Sequence, residues 1–193
     1  MTCHTLALHR ISTDNVARIL PHEVTNRSVY EDLIGLQLRI ARATDAEQLV
    51  EVINAAFRKA ESYIIDRDRV DLELIQSLLA KGEFLIAEDD AGVAGCVHLE
   101  RRADRAYLGL LSVAPERQKT GLGSMLVGEA EQHCARAGCL FMDLKTINLR
   151  TDNRAFYKKR GYVETGTESL PPDVGTKLPC HFVTMSKPLP GKS

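Results

Sequence analysis

Leu110-Leu111-Ser112-Val113-Ala114-Pro115-Glu116-Arg117-Gln118-Lys119-Thr120-Gly121-Leu122-Gly123-Ser124-Met125-Leu126 is the stretch that decides how this chain folds. A strand ends at Val113, Pro115 turns the chain, and a polar segment with glycines at 121 and 123 opens a helix. Leu122, Met125, Leu126, Ala130, Cys134 and Ala137 recur at helical spacing, so the helix buries one face and its start is held in place. The first helical N–H groups lack intrahelical partners, and the macrodipole places about half a positive charge there. Glycine at 121 and 123 lets a phosphate approach the backbone without a β-carbon in the way. The plainer explanation, a turn followed by close helix packing, accounts for two glycines equally well.

Working outward, residues 36–42 alternate apolar and polar, which predicts a half-buried strand. Thr44 with Glu47 has capping-box spacing, and Leu49, Val50, Ile53 and Phe57 give the following helix its stripe. A second helix is expected over 70–81, stopped by Gly82. Three strand-like runs, 83–88, 92–101 and 105–113, are joined by short polar connections and read as an antiparallel meander. The helix after the quoted stretch runs to about Gly138. A strand over 140–147, a helix over 151–160, a strand over 162–165 and a last strand over 180–186 follow it. This order predicts an α+β fold with a mixed, largely antiparallel six- to seven-stranded sheet flanked by helices on both faces. Residues 36–193 form one domain, and residues 1–35 are an N-terminal extension.

Composition agrees with a single globular domain. The 193 residues carry 25 Lys+Arg against 26 Asp+Glu, a formal net charge of −1, which argues against a dedicated nucleic-acid binder. No window approaches the roughly 20 apolar residues of a membrane span. Five cysteines (Cys3, Cys96, Cys134, Cys139, Cys180) are odd in number and include no C-x-x-C pair, so neither a disulfide framework nor a metal site is expected. A reducing, cytoplasmic setting suits them. Residues 1–22 hold basic residues and histidines with Asp14 as their single acid, a composition reminiscent of an organellar transit peptide, although a loosely packed extension is the better reading.

The class of phosphate ligand can be narrowed. A dinucleotide fingerprint would need a third glycine where Leu126 stands, and no P-loop pattern occurs anywhere in the chain. What fits is Q-x-x-G-x-G, carried by Gln118, Gly121 and Gly123. With Val113 and Pro115 before it and an amphipathic helix after it, this segment resembles the signature of the GNAT superfamily of acyl-CoA-dependent N-acetyltransferases. Phe156-Tyr157-Lys158-Lys159-Arg160-Gly161-Tyr162 resembles the family's second motif, Y-x-x-x-G-[F/Y], and the element order matches from about residue 36 to 189. One departure is visible. Many members carry Asn seven residues before that Tyr, and this chain has Arg150 there, with Asn153 one turn along.

The resemblance implies acetyl-CoA as the acetyl donor, no metal, and a primary amine, small molecule or peptide, as the acceptor. Lys119, Thr120, Gly121, Leu122, Gly123 and Ser124 would cradle the diphosphate through backbone N–H groups, with Gln118 beside them. Leu111, Ser112 and Val113 would flank the pantetheine arm where their strand splays from its parallel neighbour. Arg117, Lys158 and Lys159 are candidates for the nucleotide phosphates, and Asn153 for a polar contact to the arm. Lys158 at a helix end is as well explained by the helix dipole.

Transfer itself makes chemical demands. A lysine-like amine is neutral in only about one molecule per 2,500 at pH 7, so a base is needed, and the departing thiolate needs an acid. Tyr157 is the acid candidate. His98 and Glu100, on one face of their strand by period-2 spacing, are the base candidates, although such residues are more often satisfied or exposed side chains. The backbone N–H of Val113 would polarise the thioester carbonyl. The resemblance implies an acceptor pocket between the first two helices and the loop before the last strand, which makes Glu61, Tyr63, Arg150 and His181 acceptor-site candidates, with Asp66 and Phe182 near them. The competing expectation is a non-catalytic acyl-CoA-binding or regulatory module. The sequence does not specify the acceptor or the oligomeric state.

Overall fold

The computed structural model describes residues 9–10, 33, 35–171 and 174–191. One sheet of eight strands runs through it: β1 (His9–Arg10), β2 (Gln37–Ile40), β3 (Glu83–Asp89), β4 (Gly92–Arg102), β5 (Arg105–Val113), β6 (Phe141–Ile147), β7 (Val163–Ser169) and β8 (His181–Pro188). The spatial order is β1-β2-β3-β4-β5-β6-β8-β7. Every neighbouring pair is antiparallel except β5 with β6. Seven of these strands are the seven expected. The eighth, two-residue β1, pairs with Gln37 and Leu38 and carried no signal of its own. Leu33, also within the first 35 residues, is fully buried in the core. The stretch with transit-like composition lies almost wholly outside the described residues.

Among the described residues four helices of eight residues or more cover the sheet: α1 (Ala46–Glu61), α2 (Leu72–Lys81), α3 (Leu122–Arg136) and α4 (Thr151–Lys158). The two faces have separate cores. Leu49, Ile53 and Ile75 of α1 and α2 pack with Phe84, Ile86 and Cys96 on one face. Leu122, Met125, Leu126 and Ala130 of α3 and Tyr157 of α4 pack with Leu85, Val97, Leu99 and Leu108 on the other. Alternation along β3 therefore feeds both cores, as expected for a central strand.

The start of α1 differs from the Thr44–Glu47 box expected. Residues Ala43–Asp45 form a 3-10 turn, and Asp45 accepts from the Arg42 N–H at 2.6 Å while Arg39 holds the same carboxylate. An ion pair brought by the neighbouring strand has taken over the cap. Helix α2 begins at Leu72, two residues later than the expected 70–81, because Asp71 caps it by accepting from the Leu74 N–H at 2.8 Å. Cys96 and Cys134 are fully buried, as their apolar settings implied. Burial pushes the Cys134 thiol up to about 12.

Candidate active site

The site begins where the sheet comes apart. The parallel ladder of β5 and β6 runs from Arg105 opposite Phe141 to Leu108 opposite Leu144 and ends there. β5 continues to Val113 and β6 to Ile147, so the two strands part inside the sheet. On its other side β5 stays paired with β4 up to Val113, with an extra residue on β5 between Gly109 and Ser112. Leu110, at φ 50°, is the residue that takes up this bulge. Beyond it the Ala114 N–H bonds the Ala94 carbonyl at 2.9 Å. By antiparallel alternation, the Val113 N–H and carbonyl and the Leu111 carbonyl then face the gap and not β4.

Helix α3 starts at the mouth of that gap. Its first intrahelical bond joins the Met125 N–H to the Gly121 carbonyl at 3.1 Å, so the N–H groups of Leu122, Gly123 and Ser124 precede the ladder. Gly121 has φ 86°, a conformation glycine adopts at no steric cost. Lys119 at φ 67° bends the same loop. Gly123 is a different case. A β-carbon there would meet Val113 Cγ2 at 3.6 Å and Phe156 Cζ at 3.9 Å, ordinary contacts. Among the described residues nothing requires this helical glycine.

The side chains of the cradle have structural partners. Gln118 donates to the Val113 carbonyl at 3.2 Å, closing the strand end, and Thr120 donates to the Arg117 carbonyl at 2.7 Å. Arg117 pairs with Asp89, and Lys158 with Glu164 at 2.8 Å. Lys159 is exposed. The cation that reaches the start of α3 is one the sequence analysis passed over. Arg160 donates to the Ser124 hydroxyl and to the Phe156 carbonyl, and its guanidinium lies 3.5 Å over the Phe156 ring.

Tyr157 is buried on α4, edge-on to Phe156 at 5.1 Å and to Tyr162 at 5.5 Å. Burial raises its phenol far above the ordinary value, with the charges of Arg160 and Arg150 opposing that rise. The hydroxyl therefore keeps its proton at neutral pH. The two base candidates sit on β4, which pairs with β5 on the side away from the gap. His98 is buried beside the Phe84 ring at 4.8 Å, and its Nε2 has no partner among the described residues. Burial lowers its pKa, against the opposing pull of the Leu78 backbone. Glu100 is held by Arg102 through bonds of 3.0 and 2.9 Å, which keeps its carboxyl below the ordinary range.

On the β6 side of the gap, side chains from distant segments meet. Ile64 and Ile65 pack on Ile147 at the end of β6. Arg150, at the start of α4, is 8% exposed and binds Glu61 of α1 at 3.1 Å, Asp152 at 3.0 Å and the Asn153 side-chain oxygen at 2.9 Å. Tyr63 is exposed and donates to the Leu149 carbonyl at 3.4 Å. His181 is exposed at the start of β8, where its N–H binds Asn148 at 2.9 Å. A cavity of about 320 Å³ is lined by Phe57, Arg58, Glu61, Ser62, Ile65 and the loop 66–69. Among the described residues no three His, Cys, Asp or Glu side chains gather as a metal site, and no helix is long and apolar enough to cross a membrane.

Comparison with known proteins fits this architecture. Residues 80–164, from the end of α2 into β7, match the family model described as an acetyltransferase (GNAT) domain. Among solved structures, the ribosomal-protein-S18-alanine N-acetyltransferase of Escherichia coli superposes with a TM-score of 0.66 at 16% identity, over 82% of this chain and 96% of that one. Ard1 from Thermoplasma volcanium gives 0.68 at 18% identity, over 81% and 99%. The PaiA N-acetyltransferase from Thermoplasma acidophilum, solved in complex with coenzyme A, gives 0.63 at 21%, over 80% and 99%. At such identities the likeness is one of fold. Residues 80–164 thus match a GNAT acetyltransferase domain, and the chain shares its fold with solved GNAT acetyltransferases.

Proposed function

We propose that this chain moves an acetyl group from acetyl-CoA to a primary amine by direct transfer, donor and acceptor being bound together. The observation that carries the reading is the parting of β5 from β6 at the unpaired start of α3. Backbone N–H groups between Lys119 and Ser124 hold the diphosphate, each charge-assisted bond contributing roughly 1.5–3 kcal/mol. The pantetheine arm lies in the gap as a pseudo-strand along Leu111 and Val113. The Val113 N–H meets the thioester oxygen as negative charge develops there. Tyr157, protonated at neutral pH, donates a hydrogen bond to the departing sulfur. The catalytic unit is residues 36–193, with Leu33 in its core and β1 at the edge of its sheet, and a cytoplasmic setting agrees with the unpaired thiols of Cys96, Cys134, Cys139 and Cys180.

The test is a panel of primary amines incubated with the protein and acetyl-CoA, with free thiol followed over time. Thiol release that depends on a particular amine, with the acetylated product identified by mass, supports the reading. Thermal stabilisation by coenzyme A without turnover of any amine would instead make the chain an acyl-CoA-binding module.

A further inference from the structure

Glu61 has an arrangement that packing alone does not explain. The residue is 5% exposed, at the last turn of α1. Its Oε1 accepts from Arg150 at 3.1 Å, while its Oε2 is buried with no hydrogen-bond partner among the described residues. A buried carboxylate oxygen left unpaired costs free energy, and such groups are retained where a ligand completes them. Glu61 also lines the cavity of about 320 Å³, whose apolar walls include Phe57 and Ile65. That volume lies at the small-molecule end of the usual range for ligand sites.

From these observations, and resting on the acetyl-transfer reading above, we infer that Glu61 is the proton acceptor for the incoming amine, that Arg150 is its positioning residue, and that the acceptor is a compact primary amine which arrives as its ammonium. Arg150 fixes one oxygen of Glu61 and leaves the other for the substrate. The ammonium gives one proton to Glu61, breaking an N–H bond and forming an O–H bond. The freed nitrogen lone pair attacks the thioester carbon, and the C–S bond breaks with its electron pair staying on sulfur. The sulfur takes the Tyr157 proton, and Tyr157 is restored by the second proton leaving the new amide nitrogen. Glu61 returns its proton to water. The sum is acetyl-CoA plus ammonium giving amide, coenzyme A thiol and one proton.

Charged groups from α4 and from the loop before α2 act on the Glu61 carboxyl. Burial raises its carboxyl above the ordinary value, with Arg69 and Arg150 pulling it down and Asp152 pushing it up. Arg150 and Asp152 approach from α4, and Arg69 from the loop before α2, its guanidinium 5.0 Å over the Phe57 ring. Arg58 is paired with Asp68, and Asp66 with Lys177 from the segment before β8, so these lining charges are already matched. Tyr63, beside Arg150, donates to Leu149 and leaves Glu61 alone. The charge of Arg150 acts on Glu61 and on Tyr157 together, and so links the base to the acid.

The experiment measures kcat against pH, with the best amine of the panel, for the wild type, Glu61→Gln, Arg150→Gln and Arg150→Lys. Coenzyme A affinity is measured alongside as the control for folding. Glu61→Gln should lower kcat roughly 100- to 1,000-fold at pH 7, recover as pH rises toward the pKa of the amine, and leave coenzyme A affinity unchanged. Arg150→Gln should displace the acidic limb of the profile to higher pH, and Arg150→Lys should restore it in part. A Glu61→Gln enzyme within threefold of wild type at every pH overturns the assignment of the base, and an unmoved limb in Arg150→Gln overturns the positioning role. If Arg150→Gln does not bind coenzyme A, the Lys variant alone decides, by whether its limb moves. A wild type that turns over no amine sinks the underlying reading instead, an outcome distinct from both.

Discussion

The two sides of the gap are built from different material. On the α3 side the groups that line the gap are main-chain ones: the Val113 N–H, the Leu111 carbonyl and the first amides of α3. Here the side chains of Gln118 and Thr120 serve the loop itself. On the β6 side the polar groups are side chains, an ion network in which Glu61 and Arg150 meet across 89 positions of sequence. Backbone groups fix a shape that many donors' common portion can fill, whereas side chains distinguish one acceptor from another. The division implies a generic donor site and a particular acceptor site in one molecule.

The largest expected effect breaks the backbone side alone. Gly123→Glu places a carboxylate where the diphosphate would lie, and isothermal titration should show coenzyme A affinity falling about 1,000-fold, the loss of roughly two charge-assisted bonds. Its circular dichroism should stay that of the wild type, because the added β-carbon meets only ordinary contacts. Unchanged affinity would put the cradle elsewhere. Tyr157→Phe probes the link between the two sides. It should lower kcat about 100-fold, near the lower end for proton-transfer groups, and leave coenzyme A affinity within twofold. Equal turnover by that variant across pH would remove the phenol from the chemistry.

A smaller substitution sharpens the contrast. Gly123→Ala should stabilise the free protein by about 0.5–1 kcal/mol, the usual gain for Gly to Ala inside a helix, while weakening coenzyme A several-fold. Opposite signs in the melting and titration data would identify a glycine kept for its ligand. Parallel signs would return it to packing. The smallest effect concerns His98, which belongs to neither side. Its pKa is lowered in the fold, so the unfolded chain takes up a proton that the buried ring refuses. The stability this contributes is complete above about pH 6.5 and is lost as pH falls below it. Tm of the wild type should fall more steeply than that of His98→Asn between pH 7 and pH 5, and kcat should be insensitive to the exchange.

Those differences also explain what the sequence could reveal. Strand and helix periodicity is local, so β5 ends at Val113 as expected, and α3 begins one residue past Gly121. The strand-to-helix turn with Gly121 and Gly123 was legible for the same reason, because the glycines and the adjacent strand and helix signals sit within a dozen residues. β7 was expected to stop at Thr165 but runs to Ser169, because every residue in it is exposed and an edge strand with two open faces has no alternation to show. Arg160 went unnoticed beside Lys158 and Lys159, since only the turn that ends α4 decides which of three neighbouring cations reaches α3. The Glu61–Arg150 pair could not be seen as a pair at all, because no spacing rule joins the end of α1 to the start of α4.

The ladder between β5 and β6 stops after four pairs, which leaves an unzipped seam in the middle of an otherwise continuous sheet. Amides along that seam, Val113 above all, exchange their hydrogens with water unless a guest satisfies them. Whatever occupies the wedge acts as a ninth strand, so slowed deuterium uptake on both banks of the seam would report its arrival without any turnover at all.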